Sequence, residues 1–182
     1  MNPAALALPL LAAALVAGCG GGDSGAPTEL PAGWADGEGA QREAIEDYAE
    51  QLGEAAGSEV ELEAFYVDED TAGSGFATNV NVLAEKFGDE VDAAGYQEQS
   101  IGSLETVGVT NAKEAPGTEV GGESARVVEY SSPAGAEQVK LRLAVAVHDG
   151  TGYNFTLASS AAGYDEAVAD FEEILANWEW SD

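Results

Sequence analysis

The stretch from Gln138 to Ser159 most constrains the fold. Val139, Leu141, Leu143, Val145 and Val147 alternate with Lys140, Arg142, Ala144, Ala146 and His148. A period of two is the signature of a strand, because successive side chains leave it on opposite faces. Asp149-Gly150-Thr151-Gly152 follows, and Asp-Gly is the strongest short-range signal for a tight hairpin. Gln138–His148 and Tyr153–Ser159 are thus expected to pair antiparallel. Ala125–Ser131, joined through Ser132-Pro133-Ala134-Gly135, adds a third strand by a second hairpin.

The rest of the chain is read against this sheet. Residues 41–56 place Ile45, Tyr48, Ala49, Leu52 and Ala56 on one helical stripe, with Glu43, Glu46, Asp47 and Glu50 outside it. Val60, Leu62, Ala64 and Tyr66 alternate with Glu59, Glu61 and Glu63, a strand with an acidic solvent face. After the turn-rich Asp68–Gly75, a second strand, Phe76–Ala84, sets Val80 and Val82 against Asn79 and Asn81. Residues 89–104 read as a helix with Val91, Ala94, Ile101 and Leu104 inward, and Val107–Thr110 as a short strand. The last helix, Tyr164–Trp178, carries Tyr164, Val168, Phe171, Leu175 and Trp178 at helical spacing, with acids in its first turn. Hairpin strands with helices at the start, middle and end predict an α+β fold, an antiparallel sheet flanked by helices.

The N-terminus has another character. Ala4–Ala17 is uncharged and rich in Ala and Leu, the length of a signal-peptide core and short of the roughly 20 residues that span a bilayer. It ends in Val16-Ala17-Gly18-Cys19, which resembles the lipobox of bacterial lipoproteins. The resemblance implies cleavage before Cys19, a diacylglyceryl group on its sulfur, and anchoring to the extracytoplasmic face of the cell membrane. Cys19 is the sole cysteine, so no disulfide competes for it. Met1-Asn2-Pro3 departs from the usual pattern in having no Lys or Arg, which leaves the α-amine or an upstream start to supply the charge. Gly20 to about Gly39 reads as a flexible tether with an r.m.s. reach of about 25 Å. The Gly22-Asp23-Ser24-Gly25 inside it has the letters of a serine-protease loop but none of the buried His and Asp that such a serine needs. The expected organisation is a signal peptide over 1–18, lipidated cysteine and tether over 19–39, and one globular domain over 40–182.

Charge excludes one class of partner. The chain has 34 acidic and 6 basic residues, net −28, and such a surface repels nucleic acid and anionic head groups. Membrane attachment therefore has to come from lipid on Cys19. Acids spread along the whole chain fit a salt-adapted surface, and cation binding is the alternative. Asp68-Glu69-Asp70, the densest acidic stretch, lacks the Gly and distal Glu of an EF-hand loop.

The order of elements resembles the PsbP-like proteins. Phe76-Ala77-Thr78-Asn79-Val80-Asn81-Val82 is similar to their F-x-x-N-V-N-V strand. Gly121-Gly122-Glu123-Ser124-Ala125-Arg126 is similar to the start of a central strand, and Gly152–Leu157 with Tyr164 and Phe171–Leu175 to the last strand and helix. Among actinobacterial lipoproteins the LpqN-like group carries this pattern. The resemblance covers about residues 30–180. It implies α/β/α layers around the antiparallel sheet, accessory or interaction roles, and no catalytic residues.

Chemistry-bearing motifs are sparse. The single histidine, His148, ends a strand beside a turn and reads as a surface or hydrogen-bonded residue. No Walker loop or G-x-G-x-x-G is present, and no cofactor or metal is implied. Glu59, Glu61 and Glu63 are a solvated face or a cation site. Asn79 and Asn81 pair within the sheet or bind a ligand. Trp178 and Trp180 pack or cap the final helix. Lys140 and Arg142 share a strand face near Arg126, where they pair with Glu129 or with Glu59, Glu61 and Glu63, or dock an anionic partner. With no nucleophile–base pair in view, the expectation is a non-catalytic binding or assembly module of the envelope, its partner a protein or a small ligand. An envelope hydrolase is the runner-up from another class.

Overall fold

A computed structural model describes residues 25–73, 76–87, 92–106, 109–134 and 137–181. In chain order the elements are β1 (Ala26–Pro27), β2 (Trp34–Asp36), α1 (Ala40–Ala56), β3 (Val60–Asp68), β4 (Asn79–Lys86) and α2 (Ala93–Thr106). They continue with β5 (Lys113–Val120), β6 (Glu123–Ala134), β7 (Glu137–His148), β8 (Thr151–Ser160), α3 (Tyr164–Ala176) and β9 (Trp178–Glu179). Among the described residues, seven strands form one antiparallel sheet in the order β2-β3-β4-β8-β7-β6-β5, and β1 pairs with β9 beside it. The signal segment, Cys19 and the Gly22-Asp23-Ser24 part of the protease-like motif lie outside the described residues.

The central hairpin forms as its sequence requires. His148 pairs with Thr151 across Asp149 and Gly150, both at positive φ (46° and 76°). That is the two-residue turn whose twist matches the strands it joins. β7 lies between β6 and β8, and helices cover both of its faces. Ala144 and Ala146 pack with Phe155, Leu157, Phe171, Ile174 and Leu175 on the α3 side. Leu143 and Val145 pack with Val128, Tyr96 and Leu104 on the α2 side. The alternation of β7 is therefore large apolar against small apolar, and its alanines let α3 approach closely. Burying Phe171, Ile174 and Leu175 contributes about 1.5–3 kcal/mol each.

Several expectations need correction. Residues 25–39 are not tether. β1 is zipped to β9, β2 to β3, and the Trp34 indole is buried and donates to Asp170 at 3.0 Å. Lys113–Val120, assigned to no element from the sequence, is a strand, and its place at the sheet edge tolerates the missing N–H of Pro116. The Pro133 strand position extends β6 beyond Ser131 to Ala134, and Gly135 lies outside the described residues. The second strand starts at Asn79 rather than Phe76 and runs past Ala84 to Lys86.

Among the helices, α2 turns Tyr96 and Leu104 inward and leaves Ala94 exposed, while Val91 lies outside the described residues. The expected strand at 107–110 is not formed at Val109 and Thr110; residues 107 and 108 are outside. Ala56 is exposed. α3 ends at Ala176, and Trp178 is buried from β9 rather than from the helix.

Candidate functional site

A β-bulge shapes a cleft among the described residues. β3 pairs Glu61 with Ala84 and Leu62 with Leu83, but Ala64 with Val82, so Glu63 is the extra residue. Directly paired residues project to the same side, so the bulge carries Glu61 onto the face of Ala84, Ala64 and Tyr66, the face α3 covers further along. Strict alternation would have kept the glutamates on the opposite face from Ala64. Bulges redirect side chains in this way and bend the strand. The result is a cleft of about 670 Å³ between α1, the start of β3 and the β7–β8 hairpin. Arg42, Glu46 and Glu50 form one wall. Glu59, Glu61 and Glu63 form the floor with Lys86, and His148, Asp149 and Tyr153 the other wall.

The cleft is acidic on balance. Arg42 is engaged by Glu46 at 2.8 Å one helical turn on. Burial pushes the Glu63 carboxyl above the ordinary carboxylate range and Glu61 adds to this, while Lys86 works against it. Burial likewise raises the Tyr153 phenol, with Glu63 adding to it. His148 is fixed at the rim. Its ring lies 4.6 Å from that of Trp180 at an interplanar angle of 6°. Its Nδ1 is 3.2 Å from Glu123 and its Nε2 3.8 Å from Asp149. Trp180 is held in turn by an N–H bond to the Gly121 carbonyl at 3.1 Å. Among the described residues, no group of three or more His, Cys, Asp or Glu is placed to hold a metal ion. The arrangement suits a polar ligand that presents positive charge or hydrogen-bond donors.

Of the residues singled out from sequence, Glu59, Glu61, Glu63 and His148 line this cleft, whereas Lys140, Arg142, Asn79 and Asn81 lie away from it. Arg142 is 9% exposed. It stands directly across from Glu129 on β6 and donates to Glu129 at 2.6 Å and to Glu172 of α3 at 3.0 Å. Of the candidate partners, then, Glu129 is engaged. Glu61 and Glu63 lie on β3 and Glu59 just before it, separated from β7 by two strands. The Lys140 ammonium sits over the Tyr164 ring at 4.7 Å, and Arg126 pairs with Glu114 on the edge strand. Asn79 and Asn81 are half-buried on the opposite face of the sheet. The Asn79 amide donates to the Ala77 carbonyl at 3.0 Å, and Asn81 is paired in register with Phe65 and Thr156. Cys19 lies outside the described residues.

Sequence reasoning missed the polar network that seats α2. Tyr96 donates to Glu85 at 3.2 Å and accepts from Asn154 at 3.0 Å; Ser58 also donates to Glu85, at 2.6 Å. No local pattern signals it, because its members come from three separate elements and a loop.

The fold is similar to that of LpqN. The solved structure of LpqN from Mycobacterium tuberculosis, a protein involved in cell envelope biogenesis, is similar with a TM-score of 0.59 at 15% identity, over 88% of this chain and 87% of that one. Cyanobacterial PsbP (CyanoP) from Synechocystis sp. PCC 6803 aligns over 91% of this chain and 98% of its own, at 14% identity and a TM-score of 0.45. A Bacteroides thetaiotaomicron structure gives 12% identity and a TM-score of 0.49, over 84% of this chain and 44% of that one. No family model matches the sequence, and no curated protein does.

Proposed function

We propose that the chain is a lipid-anchored, non-catalytic binding module on the extracytoplasmic side of the cell membrane, working in the cell envelope. The observation that carries the envelope assignment is the fold shared with LpqN, itself involved in cell envelope biogenesis. The lipobox-like Val16-Ala17-Gly18-Cys19 supports the anchor. Among the described residues no helix is long and apolar enough to cross a membrane. The non-catalytic reading is supported by the sequence, in which no nucleophile–base pair is in view.

The test is the mass of the mature N-terminus together with membrane fractionation. Cleavage before Cys19, an acylated sulfur, and release or non-processing on Cys19→Ser are expected. An unmodified Cys19 with residues 1–18 retained refutes the anchor. The acidic cleft favours a second reading, carriage of a small cationic ligand. Thermal shifts with polyamines and divalent cations at matched ionic strength separate this from protein binding alone.

A further inference from the structure

We propose that residues 25–36 are a strap that ends the tether almost at the anchor, so that the β1–β9 end of the domain faces the lipid bilayer. This rests on the anchored reading above. The strap is built from independent contacts. β1 pairs with β9 through Ala26 and Glu179 and through Pro27 and Trp178. Thr28 donates from both its amide and its hydroxyl to the Asn177 carbonyl, at 2.8 and 3.3 Å. Leu30 packs on the main core, Trp34 donates to Asp170, and β2 joins the sheet.

Chain reach then fixes the orientation. From Cys19 to Ala26 the backbone extends about 25 Å at most, against about 70 Å for a tether running to Gly39. β9 lies at the His148 end of the sheet, since Trp180 stacks on His148. β7 runs from Glu137 to His148, about 40 Å of strand. Inverting the domain would put the β6–β7 hairpin against the membrane and lift β1 about 40 Å above it, beyond what the chain can reach. Attraction by charge is not the cause, because a chain of net charge −28 is repelled by anionic lipid. The partner surface is the bilayer itself, and the acidic cleft, lined by His148 and Ser181, opens beside the end that meets it.

Energy transfer from single dyes to a headgroup-labelled acceptor tests this in the full lipoprotein. It is reconstituted in vesicles of phosphatidylethanolamine and phosphatidylglycerol. Acylation occupies the only native cysteine, so Glu179→Cys and Ala162→Cys label opposite ends of α3 uniquely, some 20 Å or more apart. Transfer from position 179 is expected to exceed that from 162 by at least about twofold. A Gly/Ser insertion of about twelve residues between Gly22 and Asp23, which lengthens the reach beyond 40 Å, is expected to bring the ratio to about one. Lipid-bearing protein with equal or inverted transfer overturns the orientation and leaves the anchor standing. A ratio that survives the insertion overturns chain reach as the cause of the orientation. A mature protein whose mass shows no lipid overturns the anchor, and the orientation with it.

Discussion

Replacing Arg142 by Ala is expected to cost about 3 kcal/mol of folding stability, and the figure follows from three contributions. The side chain is 10% exposed, and its carboxylate partners Glu129 and Glu172 are 41% and 55% exposed. Removing Cγ and Cδ, the two stem methylenes that Ala lacks, from between β6, β8 and α3 forfeits about 1.6 kcal/mol, at about 0.8 kcal/mol per buried methylene. Each ion pair adds about 0.5 kcal/mol, since partners this exposed are well screened. The two glutamates left without their shared cation then repel weakly. For a domain of this size the total corresponds to a fall in Tm of roughly 6–12 °C. Arg142→Met keeps most of the stem and loses only the charge, so it should cost about 1 kcal/mol. Urea unfolding of Cys19→Ser protein lacking residues 1–18, with the Glu129→Gln and Glu172→Gln partners for double-mutant cycles, gives each quantity separately. An Arg142→Ala cost below about 1 kcal/mol, or equal costs for Ala and Met, refutes the reasoning that stem packing dominates. Loss of a captured envelope partner at unchanged stability would instead restore a docking role for this face.

Three more outcomes are expected. Gly152→Ala should lower stability by about 1–3 kcal/mol through overpacking, because an added methyl group would fall within the Tyr96 ring; unchanged melting would mean α2 is free to shift. Stability should rise between low and molar NaCl as ions screen the charge of −28, and a flat or falling Tm contradicts this. Burial holds the phenols of Tyr66, Tyr96 and Tyr130 up to about 12, from 10.0 unfolded. Native protein then keeps protons that the unfolded chain releases, so stability is intact below pH 10 and is lost as pH rises toward 12. A spectrophotometric titration showing all tyrosines ionising near pH 10 in folded protein rules that out.

The sequence by itself determined the elements whose cause is local. The hairpin at Asp149-Gly150 forms because those two residues tolerate positive φ. β7 and α3 are legible because periods of 2 and 3.6 are written in their own side chains. The family resemblance was legible for the same reason, being a matter of strand and turn patterns.

The tertiary structure decided what depends on partners distant in sequence. Val60–Tyr66 reads as clean alternation, yet pairing with β4 inserts the Glu63 bulge, and that bulge makes the cleft. Lys113–Val120 has no strand pattern, and it becomes one because β6 offers an unpaired edge. Arg142 looks like a surface cation in a strand. It is buried because α3 brings Glu172 over it while β6 supplies Glu129. Gly25–Gly39 has the composition of a linker. It is ordered because β9, β3 and Asp170 supply hydrogen-bond partners that no local window contains. A linker composition says only that a segment has no structure of its own, and the rest of the chain determines whether it is given one.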